Sequence, residues 1–194
     1  MTFRANYRSN QGFSLGPLAF LIISNLIVFI VTTFRPGFIY QLGLSGNDFL
    51  THPWTIVTNM FVHANFGHIF ANMLTLYFYG TYLVNLVGEK RFFIVYFLGG
   101  LLGNILYLLL ANPFAVSVGA SGAVFAVGGA LAVLRPRMTV FVFPLPIALP
   151  LWVVVIGGFL IMTSPGIAWQ AHLGGLLFGL AAGLVFRRRL RGYL

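Results

Sequence analysis

Two side chains of this sequence could form and break an acyl bond, and each stands where an apolar segment begins. Ser121 lies in Val118-Gly119-Ala120-Ser121-Gly122-Ala123, and His172 lies in Gln170-Ala171-His172-Leu173-Gly174-Gly175. A hydroxyl and an imidazole at the ends of membrane helices are costly there and mark a functional site by default. As a pair they match a nucleophile and its general base. A third constellation is His68-Ile69-Phe70-Ala71-Asn72, where the spacing of four puts an imidazole and an amide on one helix face. Both can donate hydrogen bonds without carrying charge. That suits stabilisation of a developing oxyanion, together with the Ser121 backbone N–H at a helix N-terminus. The competing reading is two polar groups satisfying each other in a bundle, and for Asn72 alone packing is the stronger one.

Gly119 and Gly122 flank the serine and permit close backbone approach and unusual dihedrals. They also read as a loop end and a helix seam, and the two readings are compatible. The pattern is not a hydrolase nucleophile elbow, since position 123 is Ala and no strand precedes the serine.

The rest of the composition narrows the chemistry. The 194 residues are 59% hydrophobic and 7% charged, where a soluble domain would be about a quarter charged. A polytopic membrane protein of one domain is implied. Cysteine is absent, which removes thiol catalysis, disulfides and thiolate metal sites. Asp48 and Glu89 are the only acids. They are too few for an aspartic dyad, a two-metal carboxylate site or a carboxylate proton relay. The net charge of +9 does not indicate nucleic acid. Arg4 and Arg8 precede the first apolar run, Lys90, Arg91, Arg135 and Arg137 lie between runs, and Arg187, Arg188, Arg189 and Arg191 follow the last one, leaving only Arg35 elsewhere. That distribution is the positive-inside pattern.

The fold class expected is all-α, a six-helix membrane bundle. Hydropathy places its spans near Leu15–Phe34, Phe66–Val87, Phe92–Ala111, Ser121–Leu134, Leu145–Met162 and Trp169–Phe186. The basic groups then share one side, with both termini cytoplasmic. Residues 1–14 and the basic residues 187–194 become cytoplasmic tails flanking a membrane domain of residues 15–186. The first run lacks a small-residue cleavage site and reads as a retained helix. The long loop Arg35–Asn65 falls on the far side, and its Pro36, Pro53, Trp54 and phenylalanines suit the membrane interface. No repeat relates the two halves, which weakens a repeat-built transporter.

In this arrangement spans two, four and six begin on the same side, and so do His68, Ser121 and His172. Ser121 precedes Arg135 by fourteen residues and His172 precedes Arg187 by fifteen. At ~1.5 Å per residue both stand roughly 21–22 Å above the cytoplasmic boundary. A hydrocarbon core of about 30 Å then leaves them roughly 8–9 Å below the outer surface. Span four is too short to cross alone, so Asn112–Ala120 is expected to be a membrane-embedded loop lining a wet, protein-walled cavity. Small residues recur every four positions at Gly122, Ala126 and Ala130, and again at Gly175, Gly179 and Gly183. Such stripes let helices approach closely. Even read purely as packing seams, they would bring Ser121 and His172 within reach.

Together, Gly-x-Ser-Gly at Gly119–Gly122, His-x-x-x-Asn at His68–Asn72, and Ala171-His172-x-x-Gly175-x-x-x-Gly179 resemble the rhomboid intramembrane serine proteases, in motif order as well as in type. The resemblance runs from about Pro53 to Phe186. It implies a dyad of Ser121 as nucleophile and His172 as base, and an oxyanion site from His68, Asn72 and the Ser121 backbone. It implies cleavage of transmembrane helices of other proteins near the outer leaflet, without metal or cofactor. Substrate would come in sideways past Leu145–Met162 and the loop Thr163–Ala168. The sequence departs from many relatives at Thr55, where Trp-Arg is common, and at Phe125, where Tyr is common. Phe125 can still stack on His172. Neither change removes a reacting group.

Remaining polar residues carry blander expectations. No carboxylate is available behind His172, since Asp48 lies in the outer loop and Glu89 at the cytoplasmic edge, so a dyad remains. His63 reads as interfacial or structural, and His52 as a loop residue. A zinc site from His63, His68 and His172 lacks the His-Glu-x-x-His pattern. Asn104 and Tyr107 are expected to satisfy one another or a neighbouring helix, and Glu89 to belong to a loop charge cluster with Lys90 and Arg91. Three classes therefore stand: an intramembrane serine endopeptidase, a catalytically silent relative that binds membrane helices, and a channel or transporter. The presence of both Ser121 and His172 opposes the second. The lack of charged groups at mid-membrane opposes the third. Partners expected are transmembrane protein substrates and the lipid bilayer of a cell or inner membrane, with no nucleic acid and no metal.

Overall fold

A computed structural model describes residues 16–141, 147–164 and 166–191. The expected N-terminal tail, Leu15, the first two residues of the expected fifth span (Leu145 and Pro146), Pro165 of the loop after it and the last residues of the C-terminal tail (192–194) lie outside them.

The first long helix, α1 (Gly16–Phe34), is mostly apolar, and three of its polar side chains donate to its own backbone. Asn25 Nδ2 donates to the Leu21 carbonyl at 2.7 Å, and Thr32 and Thr33 donate to carbonyls one turn back. In an apolar medium each such group needs a partner within reach. The long loop then folds as short pieces: α2 (Phe38–Leu42), α3 (Thr55–Thr58) and a 3₁₀ turn at Asn59–Phe61. Trp54 Nε1 donates to the Gln41 carbonyl at 3.1 Å and Thr58 Oγ1 to that of Leu42 at 2.8 Å, tying the loop to itself.

Helix α4 (Phe66–Val87) is capped by Asn65, whose side chain accepts the His68 N–H at 2.9 Å. Gly88 alone, at φ 83°, separates it from α5 (Glu89–Leu110). Glu89 is thus the first residue of a helix and not part of a loop cluster. An acid there complements the helix dipole. After an irregular segment come α6 (Ser121–Leu134), strands β1 (Thr139–Phe141) and β2 (Ala148–Pro150), α7 (Leu151–Ile161) and α8 (Trp169–Arg191).

Two expectations are corrected. The helix expected from Leu145 begins at Leu151, because Ala148–Pro150 is extended and pairs antiparallel with Thr139–Phe141. Pro150 supplies no N–H and drives Leu149 out of the helical region, so this apolar run is not helical. Glu89 and its neighbours extend the third span backwards. Helix α8 runs on through 187–191, since Arg and Leu favour helix and cations suit its C-terminal end.

The fold is a helical bundle, and α1, α5 and Trp169–Arg188 of α8 are each long and apolar enough to cross a membrane. Helix α6 sits at the centre, with ten of its fourteen residues buried. It packs against α4, α5, α7 and α8. Its short side chains are what allow this: Gly99 of α5 abuts Ala126, and Gly129 lies against the Leu176 carbonyl of α8, where a Cβ would sit 2.9 Å from the oxygen.

Candidate active site

The seam between α6 and α8 is built from the two small-residue stripes. Gly175 faces the Gly122 carbonyl, Gly179 the Ala126 carbonyl and Gly183 the Ala130 carbonyl, three successive turns in register. This backbone-to-backbone contact puts Ser121, at the first turn of α6, beside His172, at the first turn of α8. Ser121 Oγ and His172 Nε2 are 2.7 Å apart. Ser121 is half-buried and His172 is 3% exposed. The remaining His172 ring nitrogen, Nδ1, is buried and finds no hydrogen-bond partner among the described residues. With Nδ1 protonated, Nε2 has its lone pair aimed at the serine hydroxyl. Phe125 lies on the ring, with centroids 4.9 Å apart and planes at 36°. It therefore fixes the imidazole by contact alone, as a residue without a hydroxyl must.

His68 lies across from the serine. Its Nδ1 faces the Ala64 N–H at 3.4 Å, which leaves Nε2 as the proton-bearing nitrogen. That nitrogen points at Gly119, where an added Cβ would sit 2.7 Å from it. Gly119 also has φ 126°, so both the ring and the backbone require glycine here. Asn72 comes one turn after His68. Its Nδ2 donates to the His68 carbonyl at 2.9 Å, and the residue is 7% exposed. That bond lies within α4, and Asn72 also lines the cavity that holds the serine.

That cavity has a volume of about 630 Å³ and opens between α4, α6 and α7. Ser121, His172, His68 and Asn72 line its upper part, and it descends two turns of α6 to Gly128. Its floor forms where Tyr79 and Val155 close over Gly128, each 3.2 Å from where a Cβ would be. Sequence reading did not find this floor, since Tyr79, Gly128 and Val155 carry no reactive group. Asp48 accepts from Ser45 at 3.1 Å in the long loop after α1 and lies outside the cavity lining, as does Glu89.

Of the two readings of His63, interfacial or structural, burial fits the second: it is 1% exposed, its ring centroid 5.0 Å from that of His68 and its Nε2 facing the Ala120 N–H at 3.5 Å. Burial, and secondarily His68, push its pKa down to about 3. Asn104 is satisfied by neighbouring helical turns and not by Tyr107: it pairs with Asn59 of the 3₁₀ turn and donates to the Ile56 carbonyl of α3. Among the described residues no group of three His, Asp or Glu is placed to hold a metal ion.

The bundle and its apolar helices define an integral membrane protein with a half-buried Ser–His pair in a central cavity. Residues 50–189 match the Rhomboid domain, and the chain belongs to the rhomboid family. It is 32% identical over 167 residues to rhomboid protein 1, mitochondrial, of Saccharomyces cerevisiae, covering 75% of this chain and 45% of that one. It is 34% identical over 134 residues to RHOMBOID-like protein 1 of Arabidopsis thaliana, covering 69% and 34%. Rhomboid-like protease 3 of Toxoplasma gondii is 38% identical over 79 residues, covering 41% and 30%. The chain thus spans less than half the length of each of these relatives.

Proposed function

We propose that this protein is an intramembrane serine endopeptidase that hydrolyses peptide bonds in or near transmembrane helices of other proteins. The observation that carries the reading is the 2.7 Å contact between Ser121 Oγ and His172 Nε2 inside the cavity. Membership of a family in which some relatives are named proteases supports it.

The chemistry follows from the geometry. Ser121 Oγ attacks the substrate carbonyl carbon as its proton passes to His172 Nε2. The carbonyl oxygen becomes an oxyanion beside the Ser121 N–H, His68 Nε2 and the Asn72 amide, which stabilise it. His172 returns the proton to the leaving amine, and an acyl-enzyme remains. Water then attacks the ester, again giving its proton to His172, and the tetrahedral intermediate collapses to release the acid as His172 returns that proton to Ser121 Oγ.

In this reading the chain crosses the membrane six times, and α6 and α7 are completed by the segments before them. Residues 1–14 and the far C-terminal residues are cytoplasmic tails, the segment Asn112–Ala120 dips into the bilayer, and the cut falls near the opposite surface. Substrate helices reach the cavity between α4 and α7 and are unwound locally, since a helix with closed hydrogen bonds offers no carbonyl to attack. No cofactor or metal takes part. The membrane is a cell or inner membrane, and relatives named as mitochondrial make the mitochondrial membrane the other candidate. Purified protein in liposomes with a helical membrane substrate, with and without Ser121→Ala, tests the proposal. Cleavage by the parent and none by the variant is expected. Equal cleavage by both, or a cut in the cytoplasmic third of the substrate span by mass spectrometry, overturns it.

A further inference from the structure

The segment leading into Ser121 is irregular, and the outer loop holds it. Leu44 and Ser117 exchange both backbone hydrogen bonds, at 2.9 and 2.8 Å, and Gly119 N–H donates to the Asn59 carbonyl at 2.9 Å. Asn59 is in turn locked to α5. Its Nδ2 donates to Asn104 Oδ1 at 3.0 Å, and Asn104 Nδ2 donates back to Asn59 Oδ1 at 2.8 Å and to the Ile56 carbonyl at 2.7 Å. Both residues are buried, at 1% and 4% exposure. Gly103, the neighbour of Asn104, packs on the carbonyl of Ala171, the residue before His172. One turn of α5 therefore backs both members of the Ser–His pair, Ser121 through Asn59 and Gly119, and His172 through Ala171.

We infer that Asn104 is a positioning residue: acting through the Asn59 carbonyl and the Gly119 N–H, it sets where Ser121 stands relative to His172 and the oxyanion donors. The inference rests on the protease reading, and Asn104 itself touches no substrate. A buried two-way amide pair is directional, so it fixes Asn59 in rotation as well as in distance. An apolar contact of equal volume would hold the loop down without aiming its carbonyl. A tie that served packing alone would affect how much protein folds. A tie that aims Asn59 affects each folded molecule.

The test uses the full chain in detergent and in liposomes, comparing the parent with Asn104→Leu, Asn59→Leu and the double variant. The double variant leaves no orphaned amide and so keeps the test open where a single variant folds poorly. Fluorophosphonate labelling of Ser121 is followed per folded molecule, alongside kcat, KM and Tm. A misplacement of about 1 Å costs ~10²-fold in rate, so labelling rate and kcat should fall roughly 10- to 100-fold. KM should hold within about twofold, since substrate binding is untouched. The double variant should be no slower than the worse single one, because both act on one carbonyl. Folded variants that label as fast as the parent overturn the inference. A parent that is not labelled at Ser121 overturns the protease reading first, and this inference with it.

Discussion

Gly175→Ala offers the sharpest test of how the helix seam makes the site. The added Cβ would collide with the Gly122 carbonyl oxygen, and every near neighbour of that position is backbone. No rotamer change can relieve the clash, so α8 and α6 must part. Overpacking of this kind costs ~1–3 kcal/mol and shifts backbone on the order of 1 Å. Gly175 follows His172 by less than one helical turn, and Gly122 adjoins Ser121, so the separation passes directly to the pair. A contact of 2.7 Å opened by about that much is no longer a hydrogen bond. General-base catalysis contributes ~10²–10⁴-fold, so kcat and Ser121 labelling should drop at least ~100-fold while Tm moves by several degrees. Gly122→Ala is the control across the same seam. Its Cβ would meet the Ala171 carbonyl at 3.1 Å, a contact relieved by small adjustments, and most activity should remain. Fluorophosphonate labelling and thermal unfolding in detergent measure both quantities. Unimpaired labelling in Gly175→Ala, or equal damage in both variants, would refute the reasoning.

Other perturbations separate the remaining roles. His172→Ala should abolish labelling of Ser121 as well as turnover while the protein still folds; labelling that persists would leave Ser121 without its assigned base. Asn72→Ala should lower kcat by ~10²–10³ with KM little changed, as for loss of one oxyanion donor, and an unchanged kcat would leave Asn72 only its bond to the His68 carbonyl. EDTA and phenanthroline should leave cleavage intact, and inhibition reversed by zinc would count against a metal-free dyad. His63 takes up a proton near its reference value of 6.5 when unfolded but only at about 3 in the native protein. Stability is therefore whole above about pH 6.5 and falls as pH drops toward 3. Thermal unfolding across that range should show the loss, reduced in His63→Gln; a Tm indifferent to acid would contradict it.

Much of this architecture is legible in the sequence because membrane helices announce themselves by length and apolarity. The helices at Phe66 and Ser121 start where hydropathy and the polar residues place them. The small-residue stripes also predict their own pairing, since glycines every four residues leave a groove that only another backbone fills. What sequence does not reveal is what hydropathy does not encode. The apolar run before Leu151 looks helical until its prolines are weighed as hydrogen-bond breakers, and its strand partner Thr139–Phe141 is too short to stand out. Asn59 sits in an apolar stretch with no periodic signal. Its link to Asn104 joins residues 45 apart in sequence, a pairing that only the folded loop brings about. The cavity floor at Tyr79, Gly128 and Val155 is a shape, and shape has no motif.

The register of α6 against α8 has a consequence for how the molecule comes into being. Ser121 and His172 are separated by 51 residues, and His172 lies on the final described helix. During synthesis at ~5–20 residues per second, Ser121 leaves the ribosome roughly 3–10 seconds ahead of His172. Until α8 has inserted and slid its glycines against α6, the chain holds a serine with no partner to activate it. In the protease reading, the chain is surrounded at that moment by other newly made membrane helices. With the base on α8, it stays inert among them until that helix has inserted.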